Sequence, residues 1–197
     1  SFFESLTDKP YVLDKSRGWG IHYNFLNSFY NEPKVICLVR DLRGVYASME
    51  KNFRKSQHLD SGIVSHANMT GTTTEKRIDI WANSQPIGLA IERLQQIFKE
   101  GINKKMLFIK YEDLAKNPEA EMKRVYEYLG LPEYKHDFNN IEQITEEDDT
   151  VYGMYGDHTI RKELKPMKAD YVEVLGQSAC NWIKSNYKWF FDEFKYF

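Results

Sequence analysis

The chain has 197 residues, of which 42% are hydrophobic and 15% aromatic, so it is long and apolar enough for one α/β domain spanning residues 1–197. The formal net charge of −2 argues against a general nucleic-acid binder. No apolar run approaches the length of a membrane span.

The two cysteines lie in apolar surroundings. Cys37 falls in a predicted strand and Cys180 in a predicted helix. We therefore predict free, buried thiols rather than a disulfide, which favours a reducing, cytoplasmic location.

The first predicted elements form a β-α-β unit. Residues 11–13 are apolar and indicate a short strand, after which Lys15 stands at the strand end. Residues 19–30 carry aromatic and aliphatic residues at helical spacing, and residues 35–39 form the next strand. A helix between two strands predicts that the strands are parallel.

The second strand leads into a candidate anion site. Residues 35–39 form an apolar, β-branched run that is typical of a strand buried on both faces. An amphipathic helix follows, which Asp41 can cap. Arg40, at the carboxyl end of the strand, offers a planar fork of donors, and Ser48, about two turns into the helix, can donate one more hydrogen bond. This geometry predicts a phosphate or sulfate site.

The motif R-D-L-R-G-V-Y-A-S, which begins at Arg40, resembles the 3′-phosphate motif of the PAPS-dependent sulfotransferases. In that family an Arg and a Ser at this spacing hold the 3′-phosphate of the donor nucleotide. The resemblance implies that Arg40 and Ser48 bind PAPS and its product 3′,5′-ADP. It also implies a P-loop NTPase-like fold, a three-layer α/β sandwich with a short parallel sheet.

The same resemblance gives the upstream strand end a catalytic role. The cytosolic enzymes have Lys-Thr-His there, and the His is the general base. Here the triplet is Lys15-Ser16-Arg17, so the Lys is kept, but Arg17 cannot act as a base at neutral pH. It is closer to other branches, including the tyrosylprotein sulfotransferases, whose base is a Glu further upstream. Lys15 is therefore the implied catalytic residue.

A glycine-rich loop for the 5′-phosphosulfate is expected in this family, and the sequence contains no such pattern. We therefore expect a chain that lacks half of the donor site and is inactive by itself. An exposed sheet edge in such a chain would favour a homodimer.

The middle of the chain combines a polar loop with a long helical pattern. Residues 56–74 predict a loop, in which His58 and His66 are exposed rather than metal-binding. Residues 74–101 have helical spacing, and Pro86 should kink this helix or start a second one.

A third strand is predicted at residues 106–109, and a second family-like motif begins within it. A helix starts at Asn117-Pro118 and stops at Gly130. The stretch F-I-K-Y-E-D-L, continued by N-P-E and Y-L-G-L-P, again resembles sulfotransferases. In them the Tyr of Y-E-D lies against the adenine, which implies the same role for Tyr111.

The last part of the chain holds a candidate closing loop. The stretch G-D-H-T-I-R-K resembles loops that close the donor site in bacterial members. It implies that Arg161 and Lys162 reach the nucleotide phosphates and that His158 faces the acceptor. Residues 168–197 have an aromatic helical pattern that should pack across the sheet.

The resemblance implies transfer of a sulfuryl group from PAPS to a hydroxyl or amine of a small-molecule or carbohydrate acceptor, with no metal. Two alternatives stay open: a non-catalytic nucleotide- or partner-binding module, and a nucleotide kinase of related architecture. Preference for 3′,5′-ADP over ATP separates the sulfotransferase from the kinase.

Overall fold

The computed structural model describes residues 8–16, 18–55, 69–144 and 160–197. Two strands, nine α-helices and one 3₁₀ turn are assigned in these ranges. In chain order they are α1 Tyr23–Asn27, β1 Ile36–Val39, α2 Leu42–Lys55, α3 Thr74–Ala82, α4 Ile87–Lys99, the 3₁₀ turn Ile102–Lys105, β2 Leu107–Lys110, α5 Tyr111–Lys116, α6 Pro118–Leu129, α7 Tyr171–Leu175, α8 Gln177–Asn186 and α9 Lys188–Phe194.

The two strands pair in parallel, from Ile36 with Leu107 to Val39 with Lys110. The chain between them contains the long helices α2, α3 and α4, which make the crossover that parallel pairing requires. The predicted α/β class and both of these strands are confirmed. The prediction that β1 is buried on both faces is wrong, because Leu38 is 65% exposed on a face that no described element covers. The three-layer, P-loop NTPase-like arrangement stays a prediction.

The core lies between the sheet and helices α2, α3, α4, α8 and α9. Trp81 of α3 and Tyr46 of α2 are fully buried, and the Tyr46 hydroxyl is 2.8 Å from that of Tyr187. The aromatic carboxyl-terminal segment packs on the sheet, since the Phe194 ring centroid lies 5.4 Å from that of Phe108 in β2. This packing confirms the prediction for the segment, although the helical pattern is divided into α7, α8 and α9.

Glycine and proline set several helix boundaries. Pro86 directly precedes α4, so the predicted second helix starts there. Gly130 ends α6 in the left-handed conformation, at φ 68°, and Gly176 separates α7 from α8 at φ 84°. Pro118 takes the first position of α6 as predicted, but the Asn117 side chain makes no capping hydrogen bond.

The predicted strand at residues 11–13 is wrong. These residues have no regular structure, and Leu13 is 89% exposed. A strand of three residues needs a partner strand and a buried face, and the described part of the chain provides neither here. The helix predicted over residues 19–30 is also shorter, since α1 covers only Tyr23–Asn27.

Both thiols are free, as the sequence predicts. Cys180 is buried, whereas Cys37 is half-buried in β1, where desolvation raises the pKa of its thiol to about 11. In the described ranges, no helix is both long enough and apolar enough to cross a membrane.

A buried charge joins α2 to α3. The Glu50 side chain is fully buried and accepts hydrogen bonds from Arg77 at 2.6 and 2.8 Å and from Arg54 at 2.7 Å. Burial raises the pKa of Glu50, but the hydrogen bonds from Arg77 and Arg54 outweigh it and lower the pKa overall. Glu50 therefore stays ionised in the folded protein and holds α3 against α2.

We predict that Glu50→Gln lowers the free energy of unfolding by about 3 kcal/mol, because it leaves two arginines around a buried neutral group. The measurement is urea unfolding followed by circular dichroism. Asp79→Asn is the matched control, since it breaks the exposed ion pair with Lys76 and should cost no more than about 0.5 kcal/mol. Equal losses in the two variants would contradict this assignment.

The lowered pKa of Glu50 also makes the stability of the folded protein depend on pH. Its stabilising effect is present above the ordinary carboxyl pKa of 4.5 and is lost as the pH falls below it. The stability gap between the parent and Glu50→Gln should therefore narrow below about pH 4.5.

Candidate functional site

The site begins with two residues at the carboxyl ends of the paired strands. Arg40 follows β1 and Tyr111 follows β2, so the parallel register places them side by side. The Arg40 Cζ lies 5.0 Å from the centroid of the Tyr111 ring. Stacking on an aromatic face holds a guanidinium in place while its donors stay available. The structure thus brings together the two residues that the motifs predicted.

Arg40 has no carboxylate partner within ion-pair distance in the described ranges. Its one hydrogen-bond contact there is weak, from Nη2 to Met167 Sδ at 3.5 Å. The neighbouring Arg43 differs, because it binds both carboxylate oxygens of Asp41, and this bond is the main cause that raises the pKa of Arg43. A half-buried arginine without a carboxylate is suited to an external anion.

Helix α2 supplies the wall beside Arg40. Asp41 caps this helix as predicted, since its Oδ1 accepts the Arg43 N–H at 2.9 Å. A Cβ built at Gly44 would lie 3.4 Å from Arg40 Nε, so glycine leaves room around the guanidinium. Ser48 stands one turn further along the same face and is half-buried. Gly44 therefore borders the Arg40 guanidinium, and the helical spacing puts Ser48 on the same face of α2 as Gly44.

Lys51 continues this face, but another group already binds it. Its Nζ contacts both carboxylate oxygens of Asp170, at 2.8 and 2.7 Å. This hydrogen bond is the main reason why the pKa of Asp170 is lowered. Lys51 is therefore neutralised by an internal carboxylate, whereas Arg40 has no carboxylate partner in the described ranges.

The predicted closing loop is described only in part. Arg161 and Lys162 are exposed, and no contact with Arg40 or Tyr111 is present in the described structure. Their segment lies beside residues 138–143, where the Ile141 N–H donates to the Lys162 carbonyl at 2.7 Å. The chain then continues to Met167, next to Arg40. His158 lies outside the described residues.

The predicted catalytic lysine is separate from these contacts. Lys15 is exposed in an irregular segment, and no contact in the described ranges joins it to Arg40, Ser48 or Tyr111. Its catalytic role, and the roles of Arg161, Lys162 and His158, stay predictions.

Sequence reasoning missed two residues that support the site. The Glu112 carboxylate accepts hydrogen bonds from the Asp41 N–H at 3.0 Å and from the Tyr196 hydroxyl at 2.7 Å. Glu112 was visible within the Y-E-D motif, next to Tyr111. Tyr196 carries no local signal, because it is one of several aromatic residues near the carboxyl end. No cluster of three or more metal-binding side chains was found in the described ranges.

The sequence profile of the sulfotransferase domain matches residues 21–153. The chain belongs to this sulfotransferase family. The matched range contains Arg40, Ser48 and Tyr111, whereas Lys15 and Arg161 lie outside it.

The chain is also similar to carbohydrate sulfotransferase 1 from several vertebrates. It is 29% identical to the rat and human proteins over 171 residues, which cover 80% of this chain and 40% of each relative. The mouse protein is 31% identical over 147 residues, which cover 70% of this chain and 34% of that relative. The chain therefore spans about 40% of the length of these relatives. No solved structure matches it significantly.

We predict that Gly44→Val displaces the Arg40 guanidinium, because branched carbons would enter the space that Gly44 leaves. Nuclear magnetic resonance should show shifts of the Tyr111 ring protons and of Arg40 Nε. Gly44→Ala is the control: one methyl at ordinary contact distance should leave these signals in place and stabilise the helix by roughly 0.5–1 kcal/mol. Unchanged spectra in Gly44→Val would show that this space does not depend on glycine.

Proposed function

We propose that this chain binds PAPS at the Arg40–Tyr111 edge and serves the transfer of its sulfuryl group to a hydroxyl or amine. The observation that carries the proposal is the Arg40 guanidinium, held 5.0 Å from the Tyr111 ring and lacking a carboxylate partner in the described ranges. Membership of the sulfotransferase family supports the reaction class.

The side chains at this edge suit the adenosine 3′-phosphate end of the donor. The Arg40 fork matches two phosphate oxygens, and the Ser48 hydroxyl on the same side can donate to another. Tyr111 offers an aromatic surface to a purine. Gly44 keeps the approach to the guanidinium open.

PAPS supplies the sulfuryl group: an acceptor oxygen or nitrogen forms a bond to sulfur as the bond from sulfur to the bridging phosphate oxygen breaks, and 3′,5′-ADP leaves. In this proposal Lys15 stabilises charge on that leaving oxygen, Arg161 and Lys162 hold phosphates, and His158 faces the acceptor. The base that removes the acceptor proton is not assigned to a residue of this chain.

A carbohydrate hydroxyl is the acceptor that we place first. The similar vertebrate proteins carry the name carbohydrate sulfotransferase, and the similarity covers 80% of this chain. The second candidate is a nucleotide- or partner-binding module without catalysis of its own, which is favoured by the exposed position of Lys15, in a segment that no described contact joins to Arg40 or Tyr111. Family membership favours sulfotransfer over the kinase alternative.

We predict that Arg40→Ala weakens binding of 3′,5′-ADP about 10- to 100-fold, because a charge-assisted bidentate contact contributes about 1.5–3 kcal/mol. Binding of 5′-AMP, which lacks the 3′-phosphate, should change much less. Isothermal titration calorimetry measures both ligands. Arg124→Ala is the control, since this half-exposed arginine on α6 pairs with Glu121. Equal losses for the two nucleotides would show that Arg40 does not bind the 3′-phosphate.

Replacement of the lysine at position 15 is expected to affect the rate of sulfuryl transfer. In a longer homologue that contains both this segment and a phosphosulfate loop, replacing the lysine equivalent to Lys15 by alanine should lower kcat far more than it weakens donor binding. Steady-state kinetics with calorimetry of 3′,5′-ADP separates the two effects. An unchanged kcat would mean that Lys15 is a solvated surface residue.

A further inference from the structure

One carboxylate connects the chain segments that follow the two strands. Glu112 Oε1 accepts the backbone N–H of Asp41 at 3.0 Å, and Oε2 accepts the Tyr196 hydroxyl at 2.7 Å. Asp41 directly follows Arg40, and Glu112 directly follows Tyr111. The Asp41–Glu112 hydrogen bond therefore joins the two segments at the positions next to the site residues.

Tyr196 is itself held firmly. Its ring is 7% exposed and stacks on Phe190, with centroids 5.9 Å apart and planes at 8°. The Lys110 Nζ lies 4.4 Å from the Tyr196 ring centroid on another side. Burial and the hydrogen bond to Glu112 raise the pKa of Tyr196, so its hydroxyl keeps its proton and donates at neutral pH.

This arrangement also fixes where the negative charge of Glu112 lies. Both of its oxygens are engaged by donors other than Arg40, although Glu112 is adjacent to the residue on which Arg40 stacks. A carboxylate released from these bonds would be free to compete for the nearby guanidinium. One of the two hydrogen bonds thus joins the residues that follow Arg40 and Tyr111, and neither of them involves the Arg40 guanidinium.

We infer that Glu112 and Tyr196 are positioning residues, which hold Arg40 and Tyr111 at the separation that a 3′-phosphorylated nucleotide requires. This inference rests on the proposed function, since it assigns these residues a part in the same nucleotide site. It assigns a role at this site to the carboxyl-terminal segment, whose Tyr196 is 84 positions away from Glu112 in sequence.

The first test needs no nucleotide. Amide hydrogen exchange by nuclear magnetic resonance, on the full 197-residue chain, follows the Asp41 N–H. We expect exchange to quicken about tenfold in Glu112→Ala and about threefold in Tyr196→Phe, because the acceptor is lost in one and loosened in the other. Glu112→Gln should restore most protection, since an amide oxygen can still accept from Asp41.

Tyr128→Phe is the matched control. The Tyr128 hydroxyl accepts the Val35 N–H at 3.1 Å and lies 3.0 Å from the Lys105 carbonyl, so it ties the same two strands at their amino ends. This variant should leave the exchange rate of the Asp41 amide unchanged, even where it lowers the melting temperature.

The second test is the ratio of the dissociation constants for 5′-AMP and 3′,5′-ADP, measured by calorimetry. We expect Tyr196→Phe and Glu112→Ala to lower this selectivity about three- to tenfold, with Glu112→Gln and Tyr128→Phe near the parent value. Intact selectivity in Tyr196→Phe and Glu112→Ala overturns the inference, and so does an equal loss in Tyr128→Phe.

The two levels of failure are distinguishable. If Arg40→Ala lowers the selectivity but the Glu112 and Tyr196 variants do not, the nucleotide site stands and the positioning role is wrong. If the parent chain shows no preference for 3′,5′-ADP, the proposed function fails, and the assignment of Glu112 and Tyr196 to a nucleotide site fails with it, whatever the Asp41 amide does.

Discussion

The parallel pairing of Val39 with Lys110 is the constraint on which the candidate site depends. Because parallel strands end at the same edge, the residues that follow them become neighbours without any further instruction from the sequence. Arg40 and Tyr111 are 71 positions apart in the chain, yet the guanidinium rests on the ring. The sheet therefore places the two candidate site residues next to each other, and carboxylates on the surrounding segments neutralise several of the neighbouring cations.

Charge pairing gives Arg40 its special position. Arg43 binds Asp41, Lys51 binds Asp170 and Arg77 binds the buried Glu50, so each of these cations already has an internal carboxylate. The pair with Asp41 lies at the start of α2, the pair with Asp170 joins the carboxyl-terminal segment to α2, and the pair with Glu50 joins α3 to α2. Arg40, by contrast, has no carboxylate partner in the described ranges, and such a guanidinium suits a compact anion at a defined place better than a broad basic surface does.

Local patterns were sufficient to predict the elements that define the site. The strand within residues 35–39, the cap at Asp41 and the helix start after Pro86 depend on neighbouring residues, and these three predictions agree with the structure. Burial of that strand on both faces was wrong, because it depends on what covers the sheet, and Leu38 is exposed. The strand at residues 11–13 failed because its apolar side chains have no described surface to cover them. The contacts of Tyr196 and Met167 depend on tertiary packing across many residues, which no local pattern contains. The assignment of Lys15 has the same weakness, since it depended on that missing strand.

The hydrogen bond between Glu112 and Tyr196 has a consequence for the stage of folding at which the candidate site forms. During synthesis both strands and Arg40 leave the ribosome well before the aromatic segment that carries Tyr196. Contacts between distant parts of a chain also form slowly, because a long loop must close first. If Tyr196 positions Glu112 as inferred, the strand ends acquire their final spacing late, after the carboxyl-terminal helices have packed. A single proteolytic cut in the segment before α7 would then weaken the site while leaving Arg40, Ser48 and Tyr111 chemically intact.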